Sequence, residues 1–362
     1  MKKLLYRVFA LIFNIAGSAR LKENRVVFLA PHKGGGNDSL SVMQRYTESL
    51  KKYEVIRISS SPSSVAEALR FLFVSPVKLA RAKYIFLNDN FMPMAYLRFS
   101  PDAVITQLWH GEGAFKKFGL MTDLKPDVAE IEKKAGEKLT FVICTSENVK
   151  SVYARAFGCG EEKVLPLGSP RADYLLAEHD KAEISERFYA KFPECRGKKA
   201  VLYAPTFRDD PEDDRAILSH VDAEKFRSEL GDEYCLLVKL HPQVRSSGAL
   251  SGAADVTDYD IGELSLICDT LVTDYSSVCM DFALLNKKCV FYAYDLEKYD
   301  ASRSFCFGYE GYVPGEIAKD FDTVLNAIKN PRSDERLERF RNFNFDYFDT
   351  DNARRIADRV FG

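Results

Sequence analysis

The chain has 362 residues, 46% hydrophobic and 29% charged, the proportions of a globular protein with material for two cores. Its 51 basic and 53 acidic residues leave a net charge of −2, which argues against bulk nucleic-acid binding. Eight cysteines without a CxxC pair read as buried thiols of a reducing compartment, not as a disulfide framework or a zinc site.

The first nineteen residues, MKKLLYRVFALIFNIAGSA, are basic and then apolar, interrupted by Arg7 and Asn14. A membrane span needs about 20 apolar residues, so this stretch is too short for one. Three readings stay open: an amphipathic helix on a membrane surface, a helix docked on the protein, and a signal peptide cleaved near Ala16-Gly17-Ser18-Ala19. Next comes an apolar strand at 25–30, a loop with Gly34-Gly35-Gly36, and a helix start at Asn37-Asp38-Ser39. Short apolar runs predict further strands at 53–58, 84–87, 103–108, 140–144 and 163–165, with a helix over 63–72. The rhythm restarts after a polar connection near 178–180. Strands are predicted at 199–203, 234–240, 270–272 and 289–291, with helices over 181–192, 222–230 and 352–361. Alternating strands and helices in two halves imply an α/β fold with two Rossmann-like domains and parallel sheets. The boundaries are 1–24 for the N-terminal helix, 25–178 and 179–345 for the two domains, and 346–362 for a closing helix.

Ligands of such domains bind at the carboxyl ends of the strands. Two of the five histidines, His110 and His241, follow predicted strands in opposite halves. A histidine there serves as a general base near neutral pH or meets a phosphate; the alternative is a capping or core role. Gly111, Glu112 and Gly113 follow His110, then Lys116-Lys117, which either face a ligand or form a solvated turn. Pro205, Thr206 and Arg208 follow the strand at 199–203, and arginine suits bidentate phosphate contact. The acidic run 209–214 is interrupted by Pro211 and is a weak candidate for a metal site. Asp274-Tyr275-Ser276-Ser277 precedes an apolar helix containing Asp281, either as an anion site or as a plain cap. No GxGxxG or Walker A loop is present.

The ordered set Gln107-Leu-Trp-His-Gly111, Leu167-Gly-Ser-Pro-Arg171 with Asp173, Leu202-Tyr-Ala-Pro-Thr-Phe-Arg-Asp209 and Lys239-Leu-His-Pro242 resembles the CDP-glycerol glycerophosphotransferase family of Gram-positive bacteria. The resemblance continues through Thr273-Asp-Tyr-Ser-Ser277, Phe291-Tyr-Ala-Tyr-Asp295, Arg303, Phe305 and Val313-Pro-Gly315. It implies a GT-B-like fold whose two sheets face a central cleft. It also implies transfer of a polyol phosphate, glycerol phosphate first, from a CDP-linked donor to a lipid-linked or polymer hydroxyl. CMP is released, and the product is a teichoic acid or capsule-type polymer.

By the same resemblance, His110 is the general base and His241 the second essential histidine near the pyrophosphate. Arg208, Ser276 and Ser277 hold the donor phosphates, with Thr206, Pro205, Lys239, Asp274 and Asp281 around them. Gly111, Glu112, Lys116 and Lys117 form the acceptor-side loop. The enzyme is expected on the cytoplasmic face of the membrane as a peripheral protein. No cofactor is required by the sequence, no metal site is assigned, and divalent-cation dependence stays open. A glycosyltransferase of the same fold using a sugar nucleotide is the alternative. The family pattern has Thr-Pro where this chain has Glu112-Gly113, and a tyrosine or aliphatic residue where it has Ser169.

Overall fold

The computed structural model describes residues 2–30, 36–241, 244, 250–330 and 335–362. His32, Gly34, Gly35 and Pro242 therefore lie outside the described residues. The chain divides into two units, Met1–Tyr174 with Asn344–Gly362, and Leu175–Phe343.

The first unit holds β1 (Lys22–Ala30), β2 (Glu54–Ser59), β3 (Ala82–Leu87), β4 (Val104–Gln107), β5 (Phe141–Cys144) and β6 (Val164–Pro166). They form a parallel sheet in the order β2-β1-β3-β4-β5-β6. Strand β1 is buried from Arg25 to Ala30, as a strand covered by helices on both faces must be. Helix α1 (Lys2–Ala16) docks through Phe9 and Phe13, whose rings meet Phe71, Phe91 and Phe99. Helix α2 (Ser39–Ser49) starts where the sequence places a cap: Asp38 accepts from the backbone N–H of Ser41 at 2.7 Å. Two further helices, α3 (Val65–Phe73) and α4 (Ser75–Ala80), lead into β3.

The helix Asn352–Phe361 returns to this unit. Its Ile356, Ala357 and Val360 pack with Phe28, Met43 and Phe86. Asp173 caps it from another segment, accepting from the N–H groups of Asn352 and Ala353 at 2.8 and 2.7 Å. Gly168 lies at φ +88 against the same helix, where an added Cβ would sit 1.7 Å from the Asn352 side-chain oxygen. Only glycine fits there.

The second unit holds β7 (Lys199–Ala204), β8 (Tyr234–Val238), β9 (Ala254–Asp255), β10 (Thr270–Thr273), β11 (Lys288–Tyr292) and β12 (Glu316–Ala318). They also form a parallel sheet, in the order β12-β11-β10-β7-β8-β9. The order reverses direction between β7 and β10, and in the first unit between β1 and β3; such switch points open a crevice at the strand ends. Ten strands match predicted runs to within three residues at each end. The unpredicted β9 and β12 have two and three residues and lie at sheet edges.

One expectation is corrected. Cys195 and Cys235 are joined as a disulfide, whereas the sequence, with no CxxC pair, predicts buried free thiols. These two residues lie 40 positions apart, and only the fold brings them together.

Candidate active site

His110 stands three residues beyond β4, on a loop whose backbone is held at almost every step. Trp109 has φ 60, a left-handed conformation that is uncommon for a bulky residue and persists only where neighbours impose it. Its N–H donates to the Gln107 side-chain oxygen at 2.9 Å, and its ring stacks on Phe118 at 4.8 Å with the edge of Phe157 at 5.2 Å. The Tyr153 hydroxyl reaches the carbonyls of Gly111 and Gly113 at 2.7 and 3.0 Å. Gly113 donates to Thr145 and Ala114 to Asn344. Lys116 and Lys117 are half-buried beside this loop.

The imidazole of His110 is exposed, and its Nδ1 lies 2.9 Å from the backbone carbonyl of Asn88, just past β3. A carbonyl only accepts, so Nδ1 carries the proton and Nε2 of the neutral ring carries the lone pair. This geometry presents a base. Glu112, expected on the ligand-facing loop, turns inward and is buried, with its carboxylate against Ser39 and Ser169.

In the second unit Thr206, Arg208 and Asp274 meet at the switch point between β7 and β10. Asp274 accepts from the N–H groups of Thr206 (2.8 Å) and Tyr275, and the Tyr309 hydroxyl donates to its carbonyl. Arg208 is buried, and each of its three side-chain nitrogens donates a hydrogen bond. Its Nε and Nη2 donate to Asp295 at 2.6 and 3.0 Å, and its Nη1 donates to the Thr206 carbonyl at 2.6 Å. Its Nη2 also lies 2.9 Å from Asp274 Oδ2, at ion-pair distance though off the N–H direction, so that oxygen makes no hydrogen bond among the described residues. Burial works against the arginine charge, but Asp274 and Asp295 outweigh it and hold the group more firmly protonated than a free arginine. Tyr275 and Tyr299 flank the guanidinium at 5.1 and 5.3 Å.

Lys239 likewise points into protein, donating to the carbonyls of Thr257 and Tyr259 at 2.7 and 2.6 Å. Burial lowers its pKa below the usual lysine value. Ser276 accepts from the N–H of Val278 at 3.3 Å, at the start of the helix Val278–Leu284, whose N-cap Ser277 stands exposed and makes no side-chain capping bond. Asp281 is buried within that helix, and Pro205 is buried behind the loop.

His241 is exposed, and its ring lies 4.9 Å from Phe207. Arg303 sits over the same Phe207 ring at 4.6 Å and forks onto Asp209 through Nε (2.9 Å) and Nη2. Phe207, Arg303 and Asp295 were not assigned roles from sequence. Asp295 carried a usable signal, since it follows β11 as Asp274 follows β10. Arg303, at the end of the helix Leu296–Arg303, carried only its place in the family resemblance. Among the described residues no group of three or more His, Cys, Asp or Glu is arranged to hold a metal ion.

Both units are parallel α/β layers whose chemistry-bearing side chains sit at strand carboxyl ends, the class of fold that handles nucleotide-type ligands. The chain belongs to the CDP-glycerol:poly(glycerophosphate) glycerophosphotransferase family, whose profile matches residues 11–362. It is 33% identical over 99% of its length to the teichoic acid poly(ribitol-phosphate) polymerase of Bacillus spizizenii, of which it spans 60%. With the teichoic acid glycerol-phosphate primase of Bacillus subtilis it shares 29% identity, covering 83% of this chain and 82% of the primase. In fold it is similar to the wall teichoic acid polymerase TagF, with a TM-score of 0.80 and 24% identity over 98% of this chain and 93% of that one.

Proposed function

We propose that the protein transfers a polyol phosphate from a CDP-linked donor to an acceptor hydroxyl of a teichoic acid-type polymer or its lipid-linked start, releasing CMP. The observation that carries this reading is the Asn88 carbonyl on His110 Nδ1, which leaves Nε2 as the basic nitrogen. Family membership supports the donor class. The division of labour is of the GT-B type: the first unit activates the acceptor and the second holds the donor. In the first, His110 Nε2 takes the proton of the attacking hydroxyl as its oxygen bonds to the β-phosphorus. In the second, breaking the bond from that phosphorus to the bridging oxygen leaves CMP. Arg303 supplies positive charge for that phosphate, His241 a ring N–H, and Ser277 its hydroxyl. Arg208 and Asp274 hold the loops that carry these groups.

The test is CMP release measured with CDP-glycerol, CDP-ribitol and UDP-sugars, each with a glycerol-phosphate-primed acceptor. Turnover with a CDP-polyol and none with the UDP-sugars is expected; turnover with UDP-sugars alone would overturn the donor class in favour of a glycosyltransferase.

We also propose that α1, α3 and α4 form the face that rests on the cytoplasmic leaflet. Nine of the ten large apolar side chains that stand exposed among the described residues lie on or beside these helices. They are Leu4, Leu5, Leu11 and Ile15 on α1, with Val65, Leu69, Phe73, Val74 and Val77 on the α3–α4 segment. No residue of α3 is buried, although its apolar side chains share a face. Arg7 and Arg70 stand exposed among them, the pattern of a helix lying in an anionic interface. No helix among the described residues is long and apolar enough to cross a membrane. Each buried leucine or phenylalanine contributes about 1.5–3 kcal/mol, so the double variant L69S/F73S should bind anionic vesicles at least about tenfold more weakly in co-sedimentation. Binding equal to wild type would move the contact elsewhere; F348S, on the remaining exposed apolar residue, serves as the control.

A further inference from the structure

The loop bearing His110 is tied to the rest of its unit by a carboxylate that the proposed reaction does not use. Glu112, two residues beyond His110, is nine-tenths buried. Ser169 donates its hydroxyl to Glu112 Oε1 at 2.9 Å. The hydroxyl of Ser39 lies 3.0 Å from that of Ser169 and 3.4 Å from the same carboxylate oxygen. Each serine has one proton, so the arrangement closes if Ser39 donates to Ser169 and Ser169 to Glu112. Both serines are themselves fixed. Ser39 opens α2 behind the Asp38 cap, and Ser169 accepts from the N–H of Arg171 at 3.2 Å. The Arg171 guanidinium in turn donates to the Asn37 carbonyl at 3.3 Å. Three segments thus meet on one carboxylate: the turn into α2, the His110 loop, and the turn after β6.

A buried carboxylate is costly unless it is hydrogen-bonded, and one that joins three loops beside a left-handed tryptophan restricts where that loop can rest. We propose that Glu112 is a positioning residue for His110, setting the placement of the base rather than touching the acceptor. This rests on the reading of His110 as the base.

Trp109, the single tryptophan of the chain, adjoins the base with ring centroids 4.1 Å apart, and it reports loop position without any substrate. In E112A, kcat for CMP release should fall about 10- to 100-fold, since a displacement near 1 Å costs that much, with the donor KM little changed. Trp109 emission should shift to the red and become easier to quench with acrylamide. E112Q keeps an acceptor oxygen for Ser169 and should recover most of the turnover and the native emission. S169A should act in the same direction, and E112A/S169A should be no worse than E112A, because both remove one connection. An E112A variant that only loses thermal stability, with kcat and Trp109 emission unchanged, would overturn the proposal. Should the wild-type protein release no CMP from any CDP-polyol, the functional reading fails, yet the Trp109 signals still decide whether Glu112 fixes the loop.

Discussion

Replacing His110 by alanine should remove turnover almost completely while leaving the protein folded. A positioned general base contributes about 10²–10⁴-fold, so CMP release should fall by at least two orders of magnitude. Stability should hardly change, because the imidazole is exposed and its Nδ1 bonds only a loop carbonyl, that of Asn88. H110Q separates the two tasks of the ring. Its side-chain amide can still donate to a carbonyl but has no basic nitrogen, so it should be as inactive as H110A. Donor binding by calorimetry should be retained in both, since the donor is assigned to the other unit. Turnover within tenfold of wild type in H110Q would sink the assignment of Nε2 as the base.

The second large effect is expected at Arg208, and it is one of stability. R208L would leave Asp274 and Asp295, joined by the guanidinium in a buried cluster, without their cation. Breaking a buried pair by removing one partner costs about 3–5 kcal/mol. Denaturant unfolding of the second unit should shift accordingly. R208K should rescue little, because an ammonium cannot fork onto Asp295 while also reaching Thr206 and Asp274. The sequence reading placed Arg208 on the donor phosphates, and that role makes the opposite prediction: native stability with weakened donor binding. The two outcomes are readily told apart by chemical denaturation alongside a calorimetric titration with CDP-glycerol.

The contrast between these residues shows what a sequence makes legible here. The parallel α/β architecture could be read because buried strands are continuous apolar runs, as in β1 and β10, and because Asp38 signals a helix start by local hydrogen bonding. The placement of His110 at a strand end was legible for the same reason. What a side chain touches across the fold was not. Arg208 meets Asp295 across 87 positions, and Glu112 meets Ser169 across 57. An arginine that binds phosphate and one that clamps two aspartates look identical in sequence. Glu112 reads as a charged loop residue until the fold folds it under.

The first unit is interrupted: its chain leaves at Tyr174 and returns at Asn344, and the Asp173 carboxylate waits 179 positions for Asn352. On the ribosome, therefore, β1 to β6 emerge without the helix that covers Phe28 and Phe86, and the whole second unit is synthesised before that helix exists. Domains generally fold as units while the chain is being made. The inserted unit is free to fold first, and the unit bearing His110 cannot complete its core until the last helix has been made.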